Sequence, residues 1–182
     1  AATVNENIQT IYHIGSLDWM PNQEGITWFL KNVWSELILK FPNLSFRISG
    51  RNIPDNFRNM KFKNVEVLGE VEDATKFMFD NDIMIVPLFA GSGMRVKITE
   101  ALALGKVVVT TGLGAEGSTA KNGKEILIAN TADEFIQQIS GLIRNHQNYG
   151  LIAQNARSYA LQHLDSDVIA SNLIDFYKEH MN

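Results

Sequence analysis

Short apolar runs alternate along the chain with longer stretches in which apolar residues recur every three or four positions. That alternation predicts βα units around a parallel sheet. The first run is Thr10-Ile11-Tyr12-His13-Ile14, stopped by Gly15. Asn22 has the chemistry of an N-cap. Behind it Ile26, Phe29, Leu30, Val33, Trp34, Leu37, Ile38 and Phe41 keep i, i+3, i+4, i+7 spacing and predict one long helix with a single apolar face, ended by Pro42. Further strands are predicted at residues 44–49, 65–68, 82–86, 107–110 and 126–128. The fourth strand, Asp82-Ile83-Met84-Ile85-Val86, is apolar almost without break, so both of its faces are expected to be buried at the centre of the sheet.

Helix signals fill the intervals. Asp73 can cap a short helix carrying Phe77 and Met78. A helix over 94–104 is closed by Gly105 as its C′ residue. Thr131 and Glu134 have capping-box spacing ahead of Phe135, Ile136, Ile139, Leu142 and Ile143. Two more helices follow, one with Leu151, Ile152 and Tyr159, the other with Ile169, Leu173, Phe176 and Tyr177. The whole reads as one α/β domain over residues 1–182, a doubly wound, Rossmann-like parallel sheet of about six strands flanked by helices, with a C-terminal helical tail.

Composition narrows the function classes. A length of 182 residues suits one substantial domain, and a net charge of −4 without any basic block gives no expectation of nucleic acid as a partner. The absence of cysteine excludes disulfides and cysteine-zinc sites and fits a reducing cytosol. No apolar run approaches bilayer length. Ala1 and Ala2 open onto a strand pattern, as expected of a piece that starts at a domain boundary.

Ligands of open parallel sheets sit beyond the carboxyl ends of the strands. Those ends carry Gly15-Ser16, Gly50-Arg51, Gly69-Glu70, residues 87–93 and residues 111–117. The segment after the fourth strand is the most informative. Gly91-Ser92-Gly93 leads into a helix whose start holds Met94, Arg95, Val96 and Lys97. Glycines let a ligand approach the backbone, and the first helical turn offers free N–H donors at the positive end of the dipole. Two cations there oppose the dipole, a cost that a bound phosphate reverses. The alternative is that both cations point into water, or that Lys97 pairs with Glu100. Glu100, three residues after Lys97, otherwise fits a ribose, since a carboxylate accepts two hydroxyl hydrogen bonds. His13 lies within its strand and reads as a core histidine. Trp19 and Met20 read either as core or as a surface that faces another domain. Asp80, Asn81 and Asp82 fall at the wrong end of their strand for a metal site, and no metal is expected.

The segments GSLDWMPN (15–22), DIMIVPLFAGSGMRVKITEALALGKVVVTT (82–111), GAEG (114–117) and NGKEILIANTADEF (122–135) resemble, in order, the C-terminal domain of GT-B-fold glycosyltransferases, specifically the retaining family 4 (group 1). The resemblance implies half of a GT-B fold, whose other half, an N-terminal acceptor-binding domain, completes the enzyme. It implies transfer of a sugar from a UDP- or GDP-linked donor to an acceptor hydroxyl, as in surface polysaccharide or glycoconjugate synthesis. The nucleotide sugar is then a substrate and no cofactor is expected. Through the resemblance, Arg95 and Lys97 stabilise the leaving diphosphate, the backbone from Gly93 to Val96 cradles it, and Glu100 holds the ribose. Gly69 to Val71 frame the base, and Gly15 and Ser16 form the turn facing the donor, with Arg51, Gly91 and Met94 beside it. Ser92 stands where the family has the first glutamate of its paired motif, and Ser16 and Asn22 stand where many members have basic residues. The implied location is the cytoplasm, at the inner face of the plasma membrane through peripheral contacts of the other domain. This fragment alone is expected to bind donor weakly and to transfer nothing. A nucleotide-sugar epimerase-type domain and a non-catalytic nucleotide-binding α/β module are the alternatives.

Overall fold

The computed structural model describes residues 8–180, so Ala1 and Ala2 and the two ends of the predicted 1–182 domain lie outside the described residues. Six parallel strands, β1 (Thr10–Ile14), β2 (Ser45–Ser49), β3 (Val65–Gly69), β4 (Ile83–Val86), β5 (Val107–Thr110) and β6 (Leu127–Ile128), form one sheet in the order β3-β2-β1-β4-β5-β6. This is the doubly wound sheet the sequence predicts. Its order reverses between β1 and β4, which puts the switch-point crevice beyond Ile14 and Val86.

Side chains alternate between two cores. Ile11, Phe46, Ile48, Ile83, Ile85, Val107 and Val109 face α1 (Met20–Phe29), α2 (Ser35–Lys40), α3 (Asp55–Arg58) and α6 (Ala132–Arg144). Tyr12, Ile14, Met84, Val86 and Val108 face α4 (Ala74–Phe79) and α5 (Val96–Ala103). The helix α7 (His146–His163) joins the two, with Tyr149 and Ile152 in the first core and Ala156, Tyr159 and Ala160 in the second. The final helix, α8 (Ser166–His180), keeps Ile169, Leu173, Phe176 and Tyr177 exposed. Among the described residues no helix is long and apolar enough to cross a membrane.

Several local signals read in the sequence are realised. Asp73 caps α4 through the Lys76 N–H at 2.8 Å, Thr131 and Glu134 close a capping box on α6, and Gly105 follows the C-cap of α5. Others are corrected. The helix before Pro42 is not uniform, because a π-helical turn, Leu30–Trp34, separates α1 from α2. Asn22 does not cap it. Pro21 occupies the first turn of α1, so the helix begins at Met20, and Asn22 sits within it as a buried residue. The sixth strand is only two residues long, and α5 starts at Val96, which makes Arg95 its N-cap and leaves Gly93 and Met94 in the preceding loop.

Candidate functional site

Three strand ends wall a cavity of about 510 Å³. β1 contributes Gly15 and Ser16, β2 contributes Ser49, Gly50 and Arg51, and the segment after β3 contributes Glu70, Val71, Glu72 and Ala74. Hydrogen bonds clasp these ends: Gly15 N–H to the Ser49 carbonyl at 3.1 Å, Gly50 N–H to the Gly69 carbonyl at 2.9 Å and the Ser49 hydroxyl to the same carbonyl at 2.9 Å. At the rim, Arg51 pairs with Glu70 at 2.8 Å, both well exposed. The Ser16 hydroxyl donates to Asp18 at 2.5 Å, and Asn52 donates to the same carboxylate at 2.9 Å. Those two bonds, Ser16 first, hold the Asp18 carboxyl below the usual range.

The cavity therefore gathers Gly15, Ser16, Arg51 and Val71, with Gly69 bonded behind them. Gly91, Ser92, Gly93, Met94, Val96 and Glu100 do not line it; they are exposed along the loop after β4 and the start of α5. Positive backbone φ angles of +101° at Gly91 and +87° at Gly93 let that loop turn without strain. Arg95 and Lys97 connect the two regions.

Lys97 does not pair with Glu100. It is half-buried, and its Nζ donates to Asn22 Oδ1 at 2.8 Å and lies 3.3 Å from His13 Nε2. The site is directly under the Gly15 turn, where a Cβ added at Gly15 would lie 3.1 Å from that Nζ. Burial, and then the charge of Arg95, pull the Lys97 ammonium down from 10.5 to about 7. His13 is buried as expected of a core histidine, yet its ring also touches Lys97. Burial, and then Lys97, push its pKa well below 6.5, so it stays neutral.

Arg95 is folded in beneath Trp19, with its guanidinium carbon 5.3 Å from the ring centroid. Nη1 donates to the Ser92 carbonyl at 2.6 Å, while Nε and Nη2 are buried without a hydrogen-bond partner. Trp19 is thus neither core nor bare surface: it is 38% exposed and roofs a buried cation. Two neighbouring basic side chains, neither with a carboxylate partner in a hydrogen bond or ion pair, leave this crevice without a countercharge. Burying such charge unpaired is costly, and an incoming anion offsets that cost.

Asp82 lies at the opposite end of the sheet, where its carboxylate accepts from the Gln9 and Thr10 N–H groups at 2.9 Å each. Among the described residues no group of three or more His, Cys, Asp or Glu side chains is placed to hold a metal ion.

Sequence reading placed His13 in the core, where it lies, and Asn22 at a cap, and paired neither with Lys97. The available signal was Asn22 directly after Pro21, in a helix start where the proline already supplies the first turn.

Residues 8–145 match the family model described as glycosyl transferases group 1. Among curated relatives, an uncharacterized 44.6 kDa protein in the cps region of Klebsiella pneumoniae is 25% identical over 173 residues, which cover 90% of this chain and 44% of the relative. A phosphatidyl-myo-inositol mannosyltransferase of Mycolicibacterium smegmatis is 25% identical over 151 residues, 79% of this chain and 39% of the relative. The chain thus spans less than half the length of these two relatives. The crystallised C-terminal domain of a glycosyl transferase group 1 family protein from Francisella tularensis superposes with a TM-score of 0.72 at 16% identity, covering 87% of both chains. Anabaena HepE, solved in complex with UDP and glucose, gives a TM-score of 0.71 at 19% identity over 97% of this chain and 49% of that one.

Proposed function

The chain belongs to the glycosyl transferases group 1 family, and from that membership we propose that it is the donor-binding half of a retaining glycosyltransferase that uses a nucleoside-diphosphate sugar. The observation that carries the reading is the pair of basic side chains without a carboxylate partner, Lys97 beneath the Gly15 turn and Arg95 at the N-cap of α5, beside a cavity at the ends of β1, β2 and β3. The nucleoside occupies the cavity between Gly15, Arg51 and Val71. The diphosphate lies over the Gly15 turn and the start of α5, within reach of the free N–H groups of that helix. Glu100, on the exposed face of α5, takes the ribose hydroxyls.

As the bond from sugar to diphosphate breaks, negative charge grows on the departing oxygen. Cations held in place before the reaction stabilise that charge more than the intact donor, which lowers the barrier. Arg95 supplies two nitrogens, Nε and Nη2, that have no hydrogen-bond partner in the free chain. The acceptor binds on the other domain of a two-domain enzyme, peripheral to the inner membrane face, and the product belongs to surface polysaccharide or glycoconjugate synthesis.

Thermal-shift titration with UDP, GDP, ADP and NAD tests the reading. At 100 times its Kd a ligand stabilises by about 2.7 kcal/mol, so one nucleoside diphosphate is expected to raise Tm clearly above NAD. Failure of all three diphosphates overturns the proposal. Within it, Glu100→Gln is expected to weaken the preferred nucleotide by about 10-fold, the loss of a charged acceptor, while leaving inorganic pyrophosphate binding unchanged. Equal losses for both ligands would remove Glu100 from the ribose.

A further inference from the structure

The surroundings of Lys97 have a stoichiometry of their own. His13 Nδ1 lies 3.0 Å from the Ile85 carbonyl oxygen. A carbonyl only accepts, so Nδ1 carries the proton and Nε2 presents its lone pair to Lys97. Asn22 Nδ2 donates to the Ser16 carbonyl at 2.7 Å, which fixes the amide so that its oxygen faces Lys97. The lysine nitrogen is thus offered two acceptors, both neutral, one from β1 and one from α1. A neutral amine has two N–H groups and an ammonium three. Two acceptors satisfy the amine and leave the third N–H of the ammonium without a partner. The charged group acting on Lys97 is Arg95, from the turn before α5, which repels a proton there.

We propose that His13 and Asn22 are positioning residues for Lys97, holding its nitrogen under the Gly15 turn so that it takes up a proton from solvent when a diphosphate arrives and returns it when the diphosphate leaves. The third N–H formed on protonation points to the phosphate oxygen, and the phosphate supplies the countercharge the cluster lacks. This inference rests on the donor-site reading for its ligand, and on the His13–Lys97–Asn22 geometry for its mechanism. Depression of the free lysine to about 7 by burial and Arg95 agrees with it.

Carbon-13 labelling of lysine Cε reads the titration directly in the free chain, with Lys97→Arg identifying the resonance. One lysine is expected to titrate near neutrality, well below the ordinary lysine value. Asn22→Asp, nearly isosteric, places a carboxylate against Nζ and is expected to raise that midpoint by more than one pH unit. His13→Leu removes an acceptor and is expected to lower it. Calorimetry of UDP binding at pH 8.5 in buffers of different ionisation enthalpy is expected to show close to one proton taken up per UDP, and measurably less in Asn22→Asp. A merely structural role for Asn22 would move Tm and leave the proton count alone. Lys97 titrating at the ordinary lysine value, or an unchanged midpoint in Asn22→Asp, overturns the inference. UDP that binds with no proton uptake also overturns it and leaves the donor site standing. Failure of UDP, GDP and pyrophosphate to bind overturns the donor site instead, and the titration of Lys97 in the free chain still decides the positioning role.

Discussion

Lys97→Met is expected to weaken UDP binding by about 30-fold or more, because truncating one partner of a buried charged contact costs about 2–5 kcal/mol and 1.4 kcal/mol is a factor of ten. Arg95 is held beneath Trp19 with Nη1 on the Ser92 carbonyl, so it does not move to replace the lysine. Equilibrium titration of UDP against wild type and variant measures the loss. An affinity within threefold of wild type would remove Lys97 from the diphosphate. The same substitution should change the pH dependence of stability in a direction fixed by linkage. In the folded chain Lys97 titrates near 7, against 10.5 for an ordinary lysine. Between those values the unfolded chain binds one proton more than the folded chain, so this group makes wild-type stability rise with pH across the window from 7 to 10.5. Below 7 the group is charged in both states, and its burial cost is fully present. The methionine variant lacks the contribution. Its Tm relative to wild type is therefore expected to be most favourable near pH 6 and to fall behind as pH approaches 10. Parallel pH profiles of Tm would contradict the buried, depressed lysine.

What the sequence made legible is what local chemistry determines. The unbroken apolar run Ile83–Val86 announced a strand buried on both faces, and all four of its residues are buried. Thr131 with Glu134, and Asp73, marked helix starts because a side-chain oxygen three residues from an N–H caps it wherever the rest of the chain goes. The glycines at the strand ends located the cavity for a similarly local reason. Contacts between distant residues were not legible. Asn22 and Lys97 are 75 positions apart and His13 and Lys97 are 84 apart, and nothing periodic in either segment specifies that they meet. Asn22 was read as a cap because its amide is suited to one, yet Pro21 had already set the first turn and freed that amide for Ser16 and Lys97. Glu100 was read, from its spacing three residues after Lys97, as a ribose ligand. The lysine side chain is long enough to turn inward to Asn22, whereas the Glu100 side chain stays exposed. Sequence spacing gave a shared helix face and could not give the direction of two flexible side chains.

Gly25→Ala is expected to destabilise the chain strongly, although replacing glycine by alanine inside a helix normally stabilises by about 0.5–1 kcal/mol. Gly25 lies in α1, and a Cβ there would overlap the Pro87 carbonyl at the end of β4. Both partners are backbone, so no rotamer change relieves the overlap; α1 or the Pro87 turn has to move. Overpacking of this kind costs about 1–3 kcal/mol or more, and at about 2–4 °C per kcal/mol for a domain of this size the expected loss in Tm is several degrees. Gly141 is the internal reference: it is exposed in α6 and nothing stands within 4 Å of its added Cβ. Gly141→Ala should therefore raise Tm by the ordinary helix increment. The two substitutions are chemically identical and differ in sign only because α1 sits directly on the switch point. The same displacement carries Asn22, which lies one turn before Gly25, away from Lys97, so UDP affinity should fall with Tm in Gly25→Ala and remain unchanged in Gly141→Ala. If Gly25→Ala instead stabilises as Gly141→Ala does, α1 is not seated against Pro87, and the close approach that brings Asn22 beneath the Gly15 turn does not exist.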